Sequence, residues 1–311
     1  MGVQGETTAT GRPKPDVRTV ARLVELGWWG TAEAAEAALT RRKVTDRFAY
    51  ETAGPAIDWL VETLGLEEHR SGRCCAAQAI HKNPLVLAFS TSTLQRGWET
   101  LVLSRETGGL GLPEEVARQR VASYPPVLNF TREFVTKRTA FLETLGVPDG
   151  RAAIARRFML LNASDDKLRK GAEWLRSHGL DVKRMLKHHP ELLASISAEV
   201  LLAKLDFVCT VAGVAKADIQ PVFLALSLEG RMRLRYFYAL QRGVADRYTF
   251  STLMNVSDAA LVKRVNSLPK GTPATAEEVA AYKAHVASPE FRAYMDEQEL
   301  AIRTRTPRVK Q

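Results

Sequence analysis

Apolar residues recur along this chain with the spacing of helices that bury one side. In Asp165–Ser177, Leu168, Ala172 and Leu175 form one stripe, while Lys167, Arg169, Lys170 and Arg176 fall elsewhere. In 197–211 the stripe is Leu201, Leu205 and Val208, continuing to Ala212, with Lys204 and Asp206 off it. Such stretches end on a glycine followed by Leu or Val: Gly65, Gly111, Gly146, Gly179, Gly213 and Gly243. A second marker precedes a short leucine-rich run, at Pro84, Pro125, Phe158, Pro190 and Pro221.

The glycines are 46, 35, 33, 34 and 30 residues apart and the second markers 41, 33, 32 and 31 apart, so two signals keep one rhythm. A glycine takes the left-handed conformation that closes a helix, and the apolar residue after it folds back on the last turn. Proline restricts the residue before it and suits a first helical turn. Each unit therefore reads as helix, Gly-apolar turn, second helix and proline corner. A rhythm of this length predicts an all-α helical-repeat solenoid.

Residues 1–50 lack the rhythm. They read as a polar tail over 1–16, then helices carrying Leu23, Leu26, Trp28 and Trp29, and an alanine-rich helix over 31–39 that caps the open end of the stack. The repeats occupy 51–266, and 267–311 holds a C-terminal helix and a basic tail. Ser164 and Ser257, each followed by Asp, read as helix N-caps.

Forty-four Lys and Arg against 35 Asp and Glu give a net charge of +9, which favours a polyanionic partner. No apolar run is long enough for a membrane-spanning helix. Adjacent Cys74 and Cys75 with a distant Cys209 match neither a disulfide framework nor metal-ligand spacing and point to a reducing compartment. No phosphate-binding glycine loop, nucleophile motif or metal-binding carboxylate pair stands out, and Asp165-Asp166 reads as helix capping. The expectation is a non-enzyme with no cofactor, no metal and no small-molecule substrate.

The segments 187–193 (KHHPELL) and 122–128 (ASYPPVL) resemble the proline-leucine corners of the mTERF repeats, the mitochondrial transcription termination factor family. Residues 223–265 are similar to the C-terminal signature of that family, with Ser227-Leu228-Glu229 and Arg231 ahead of a basic-aromatic segment, and Ser257-Asp258 opening the last helix. The resemblance covers about residues 55–266. Two departures stand out: Phe158 holds a proline position, which predicts a continuous helix there, and Leu234-Arg235 replaces a proline-arginine pair. The resemblance implies three-helix units wound into a superhelix with a basic concave groove, an organellar home, and binding to double-stranded DNA or RNA.

Between Arg151 and Pro190 ten cations face four acids, an excess of +6, and this is the first candidate contact surface: Arg156, Arg157, Lys167, Arg169, Lys170, Lys183, Arg184 and Lys187. Arg231, Arg233 and Arg235 beside Tyr236, Phe237 and Tyr238 form a second, with arginines for phosphate and an exposed tyrosine for stacking. Lys263 and Arg264 sit on the last repeat helix, and Arg303, Arg305 and Arg308 in a basic arm. His188 and His189 read as turn residues; Trp59, Trp98 and Trp174 as packing. The leading expectation is a mitochondrial protein, with a chloroplast as the alternative, that holds structured RNA, specifically rRNA among ribosomal proteins. Its alternatives are a DNA-binding termination factor and a protein-interaction scaffold.

Overall fold

The computed structural model describes residues 15–40, 49–65, 74–194, 197–267 and 272–305, and among them it is all-α, with no strand. The chain opens with α1 (Val17–Glu25), α2 (Ala32–Thr40) and α3 (Tyr50–Leu64). Repeating units of three elements follow, each a first helix, a short middle helix and a third helix. The first unit has α4 (Cys75–Lys82), a 3-10 helix Pro84–Ala88 and α5 (Thr91–Val102); the next has α6 (Glu114–Ser123), a 3-10 helix Pro125–Asn129 and α7 (Arg132–Thr144). Then come α8 (Gly150–Arg156), α9 (Met159–Asn162) and α10 (Asp165–Ser177), followed by α11 (Val182–His188), a 3-10 helix Pro190–Leu193 and α12 (Ala198–Asp206), which a π turn, Phe207–Val211, prolongs.

In the later units the first helix shrinks to a 3-10 turn. Lys216–Asp218 leads to α13 (Pro221–Ala225), a π turn Leu228–Arg233 and α14 (Leu234–Gln241). Ala245–Arg247 leads to α15 (Phe250–Met254) and α16 (Asp258–Val265), and α17 (Ala276–Ala287) and α18 (Pro289–Arg305) close the chain. The segment beginning at Ile302, expected as a tail, is therefore helical through Arg305. The chain forms two bodies: residues 1–142 with 149–161, and residues 143–148 with 162–311.

The rhythm of the sequence is the rhythm of these units. All six marker glycines have positive φ, from 67° to 104°. The residue before each proline marker leaves the helical region, with φ and ψ of −149° and 91° at Asn83, −144° and 70° at Tyr124, −129° and 62° at His189, and −88° and 145° at Gln220. Arg157 takes the same conformation, φ −141°, before Phe158, so the helix breaks there as it does at the prolines. Phe158 supplies no backbone restriction; it is buried, and its apolar ring occupies the corner instead.

Every third helix begins on a hydroxyl cap. The Oγ of Ser90, Thr131, Ser164, Ser197, Ser227 and Ser257 each accepts a backbone N–H three residues on, at 2.9 to 3.3 Å. Each such cap contributes about 1 kcal/mol. The stripes read from the sequence are buried: Leu168, Ala172 and Leu175 on α10, and Leu201, Leu205 and Val208 along α12 and its π turn.

Within each body the third helix packs on the middle helix of the next unit, α5 on Pro125–Asn129 in the first, and α10 on Pro190–Leu193, α12 on α13 and α14 on α15 in the second. The contact point recurs. Seven residues after its cap, α5 carries Gly97 and α10 carries Gly171, whose missing side chains leave room for the carbonyls of Leu128 and Leu193. At the same place α12 carries Lys204. Its ammonium, although off the apolar stripe, is buried and donates to the carbonyl of Leu224 at 2.7 Å. On α14 the π turn inserts one residue, and the position falls to Arg235, which donates to Leu253 O at 3.1 Å. Those leucines stand at the fourth position of their short helices, where the carbonyl lacks a helical partner.

Candidate nucleic-acid interface

Helices α10 and α11 are neighbours in the second body and bring together the first group of candidates. Lys167, Arg169 and Lys170 on α10, and Lys183, Arg184 and Lys187 on α11, are all exposed. Lys183 and Lys187 are four residues apart and share a face of α11. Lys170 pairs with Asp166 at 2.8 Å across one turn, which lifts the pKa of its ammonium. Arg184 donates to the carbonyl of Ala217 at 3.3 Å. The ammonium groups of Lys167 and Lys183 have no carboxylate partner among the described residues. His188 is exposed on the last turn of α11, whereas His189 is half-buried with Nδ1 3.0 Å from Glu191, as a turn residue would be.

Arg156 and Arg157 are exposed in the first body, at the corner where α8 ends. Arg120 donates to the carbonyl of Arg156 at 3.4 Å.

The second group has internal duties. Arg233 was expected at a phosphate; its side chain is 15% exposed, with Glu229, Asp296 and Glu299 at 2.7, 2.7 and 2.9 Å. Burial disfavours its charge, but the hydrogen bonds to Asp296 and Glu229 outweigh that and leave the guanidinium more basic than usual. Arg235 is buried, with Asp258 at 2.6 Å and the carbonyls of Leu253, Met254 and Val256 at 2.7 to 3.2 Å. Five donors in a planar fork fit a helix end of this kind better than a lysine would. These two arginines are struts and are not presented to a strand.

Neither tyrosine offers an exposed platform. Tyr236 is half-buried against Phe207 and donates to Val211 O at 3.0 Å, and burial raises its pKa. Tyr238 is buried edge-on against Tyr282, and Phe237 is core. Arg264 donates to Thr252 O at 2.9 Å, and Lys263 is half-exposed beside it. Arg303 bridges Asp206 and Glu299 and so ties α18 to the end of α12. Arg305 is exposed at the end of α18, and Arg308 lies outside the described residues.

Arg231 differs from its neighbours. It is half-buried, donates to Val256 O at 3.0 Å, and its Nε is buried without a hydrogen-bond partner. Burial, and then Arg235, push its pKa below the usual arginine value. It faces Lys283 and Arg292 across a cleft, two cations on α17 and α18 that no motif singled out. A readable signal for the helix of Lys283 existed: Thr275 and Glu278 form a reciprocal capping box at the start of α17. Among the described residues no group of three or more His, Cys, Asp or Glu is placed to hold a metal ion, and no helix is long and apolar enough to cross a membrane.

The model of the mTERF family matches residues 75–261, more than half of the chain. The chain belongs to the mTERF family. The match opens at the first residue of α4 and ends within α16, so it spans the repeat units and leaves out α1–α3 and the pair α17–α18. Membership accounts for the all-α helical-repeat fold and implies a nucleic-acid partner. Comparison with curated proteins gives no match.

Proposed function

We propose that this mTERF protein binds structured RNA inside an organelle, a mitochondrion, by gripping phosphates with the exposed cations of α10 and α11, and that it carries out no chemistry of its own. The observation that carries this reading is that Lys167 and Lys183 stand exposed without carboxylate partners on adjacent helices. A cation without an internal partner gives up little on meeting a phosphate, and the released counterions favour binding. In its most specific form the RNA is ribosomal and the protein a standing part of a mitochondrial ribosome.

Two measurements test this. Replacing Lys167, Arg169, Lys183 and Lys187 together by alanine is expected to weaken RNA binding and to reduce the slope of log affinity against log salt by about 3–4, between the single-strand and duplex limits. An unchanged affinity and slope would leave a protein-interaction scaffold as the better account. Crosslinking and sequencing of the bound strand, combined with sedimentation against ribosomal subunits, tests the partner. Recovery of rRNA in subunit fractions supports the specific form; recovery of genomic DNA in light fractions replaces it with a DNA-binding termination factor.

A further inference from the structure

The second body holds a cleft of about 950 Å³ between the π turn with the start of α14 on one side and α17 with the start of α18 on the other. That volume lies at the upper end of the range of sites for small organic ligands. Helices α17 and α18 fall outside the family match, so this wall is built by residues beyond the repeats.

The charges lining it do not cancel. Of the five cations, Arg233 is held by Glu229 and Asp296, and Arg235 by Asp258, which accounts for every lining carboxylate. Arg231, Lys283 and Arg292 remain, and none of the three has a carboxylate partner among the described residues. Arg231 adds a second observation, because its buried Nε–H lacks an acceptor. A buried donor left unpaired is costly, and the guanidinium that carries it lines the cleft, where it is a charge-assisted donor for an anion. Since every lining carboxylate is engaged by an arginine, the cleft does not suit a cation.

Beside these cations the wall turns apolar at Leu234, Val286 and Met295. An inorganic anion would leave that wall unused, whereas a molecule with a charged head and an organic body uses both parts. We propose that the cleft binds an organic phosphate, a monoester or diphosphate with a body up to nucleotide size, with its phosphate held by Arg231, Lys283 and Arg292. The head comes either from a free metabolite or from the terminal phosphate of a nucleic-acid strand. The proposal does not depend on the RNA reading, which uses other residues.

The test uses the full chain and adenosine 5′-diphosphate as probe, with binding followed by calorimetry and phosphorus NMR. Because Arg231 also supports Val256, the main variant is the exposed pair Lys283→Ala with Arg292→Ala, which leaves that support intact. The probe is expected to bind the parent chain and to bind the double variant at least about tenfold more weakly, as loss of charge-assisted hydrogen bonds implies. The α10–α11 variants are expected to bind it as the parent does. No binding to the parent chain, or equal binding to the double variant, overturns the proposal. Displacement by a 5′-phosphorylated oligonucleotide but not by its 5′-hydroxyl form identifies a strand end as the source; displacement by neither identifies a free metabolite. Equal displacement by both would make the cleft part of a backbone-tracking surface and also overturns the proposal.

Discussion

Alanine in place of glycine in the middle of a helix normally stabilises it, by about 1 kcal/mol. At Gly97 and Gly171 the structure reverses that expectation. A methyl group at Gly171 would lie 2.7 Å from Leu193 O and 2.9 Å from its Cα; at Gly97 it would run into the carbonyl of Leu128, with Cα at 2.6 Å. Both obstacles are backbone atoms of the next unit's short helix, so no side chain can turn aside. Overpacking of this kind costs about 1–3 kcal/mol, with Gly97 at or above the upper end and Gly171 near the middle. Set against the propensity gain, Gly97→Ala should destabilise by about 2 kcal/mol or more, and Gly171→Ala by about 1 kcal/mol. For a body of roughly 150 residues, 2 kcal/mol lowers Tm by about 4–8 °C. Urea unfolding followed by tryptophan fluorescence suits the first substitution, since Trp98 is buried beside Gly97. The packing argument fails if Gly97→Ala raises the midpoint, as the propensity gain alone predicts.

Three further outcomes follow from particular contacts. Arg235→Ala leaves Asp258 and three carbonyls without their donor and should cost about 3–5 kcal/mol, seen as loss of cooperative unfolding in the second body by hydrogen exchange. The hydrogen bond from Arg18 holds Asp16 near a pKa of about 2, below its ordinary 3.8, so its contribution is present above pH 3.8 and lost as the pH falls through about 2. Amides of α1 should therefore lose protection over that acid range, and Asp16→Asn should abolish the pH dependence. Burial lowers the pKa of Lys204, so its folded form sheds a proton before the unfolded form does, and stability should rise with pH up to the ordinary lysine value of 10.5. Lys204→Met should flatten that rise in denaturant titrations carried up to pH 10.5.

What the sequence disclosed were features whose cause is local. A glycine after an apolar helix, an X-Pro corner and a serine before an acidic first turn each act within a few residues, and all were legible at Gly179, Pro190 and Ser164. The Phe158 corner was not, because its cause is an apolar ring filling a site in the packing while Arg157 leaves the helical region unforced by proline. The roles of Lys204, Arg233 and Arg235 were hidden for a deeper reason. A cation off the apolar stripe reads as solvent-facing, yet Lys204 meets a carbonyl 20 residues downstream and Arg233 meets carboxylates 63 and 66 residues downstream. The tyrosines misled in the same way, since Tyr236 and Tyr238 are claimed by rings from other elements.

The seventh position after the cap shows how a repeat protein uses charge internally. In these four stackings the short middle helix carries at its fourth position a leucine carbonyl without a helical partner, and stacking brings the third helix of the preceding unit against it. At glycine the two backbones approach closely, whereas lysine or arginine sends a donor across to the carbonyl. The cationic solution can be counted as free charge only by someone reading the sequence alone. The residues that remain for an external phosphate are those whose donors meet no carbonyl and no carboxylate, and this criterion separates Lys167 and Lys183 on α10 and α11 from Lys204 and Arg235. Arg231, four residues after its cap within the π turn, stands between the two groups, because it meets the carbonyl of Val256 and yet keeps one buried N–H without an acceptor. Partner count, more than basic composition, decides which cations of this chain are open to a ligand.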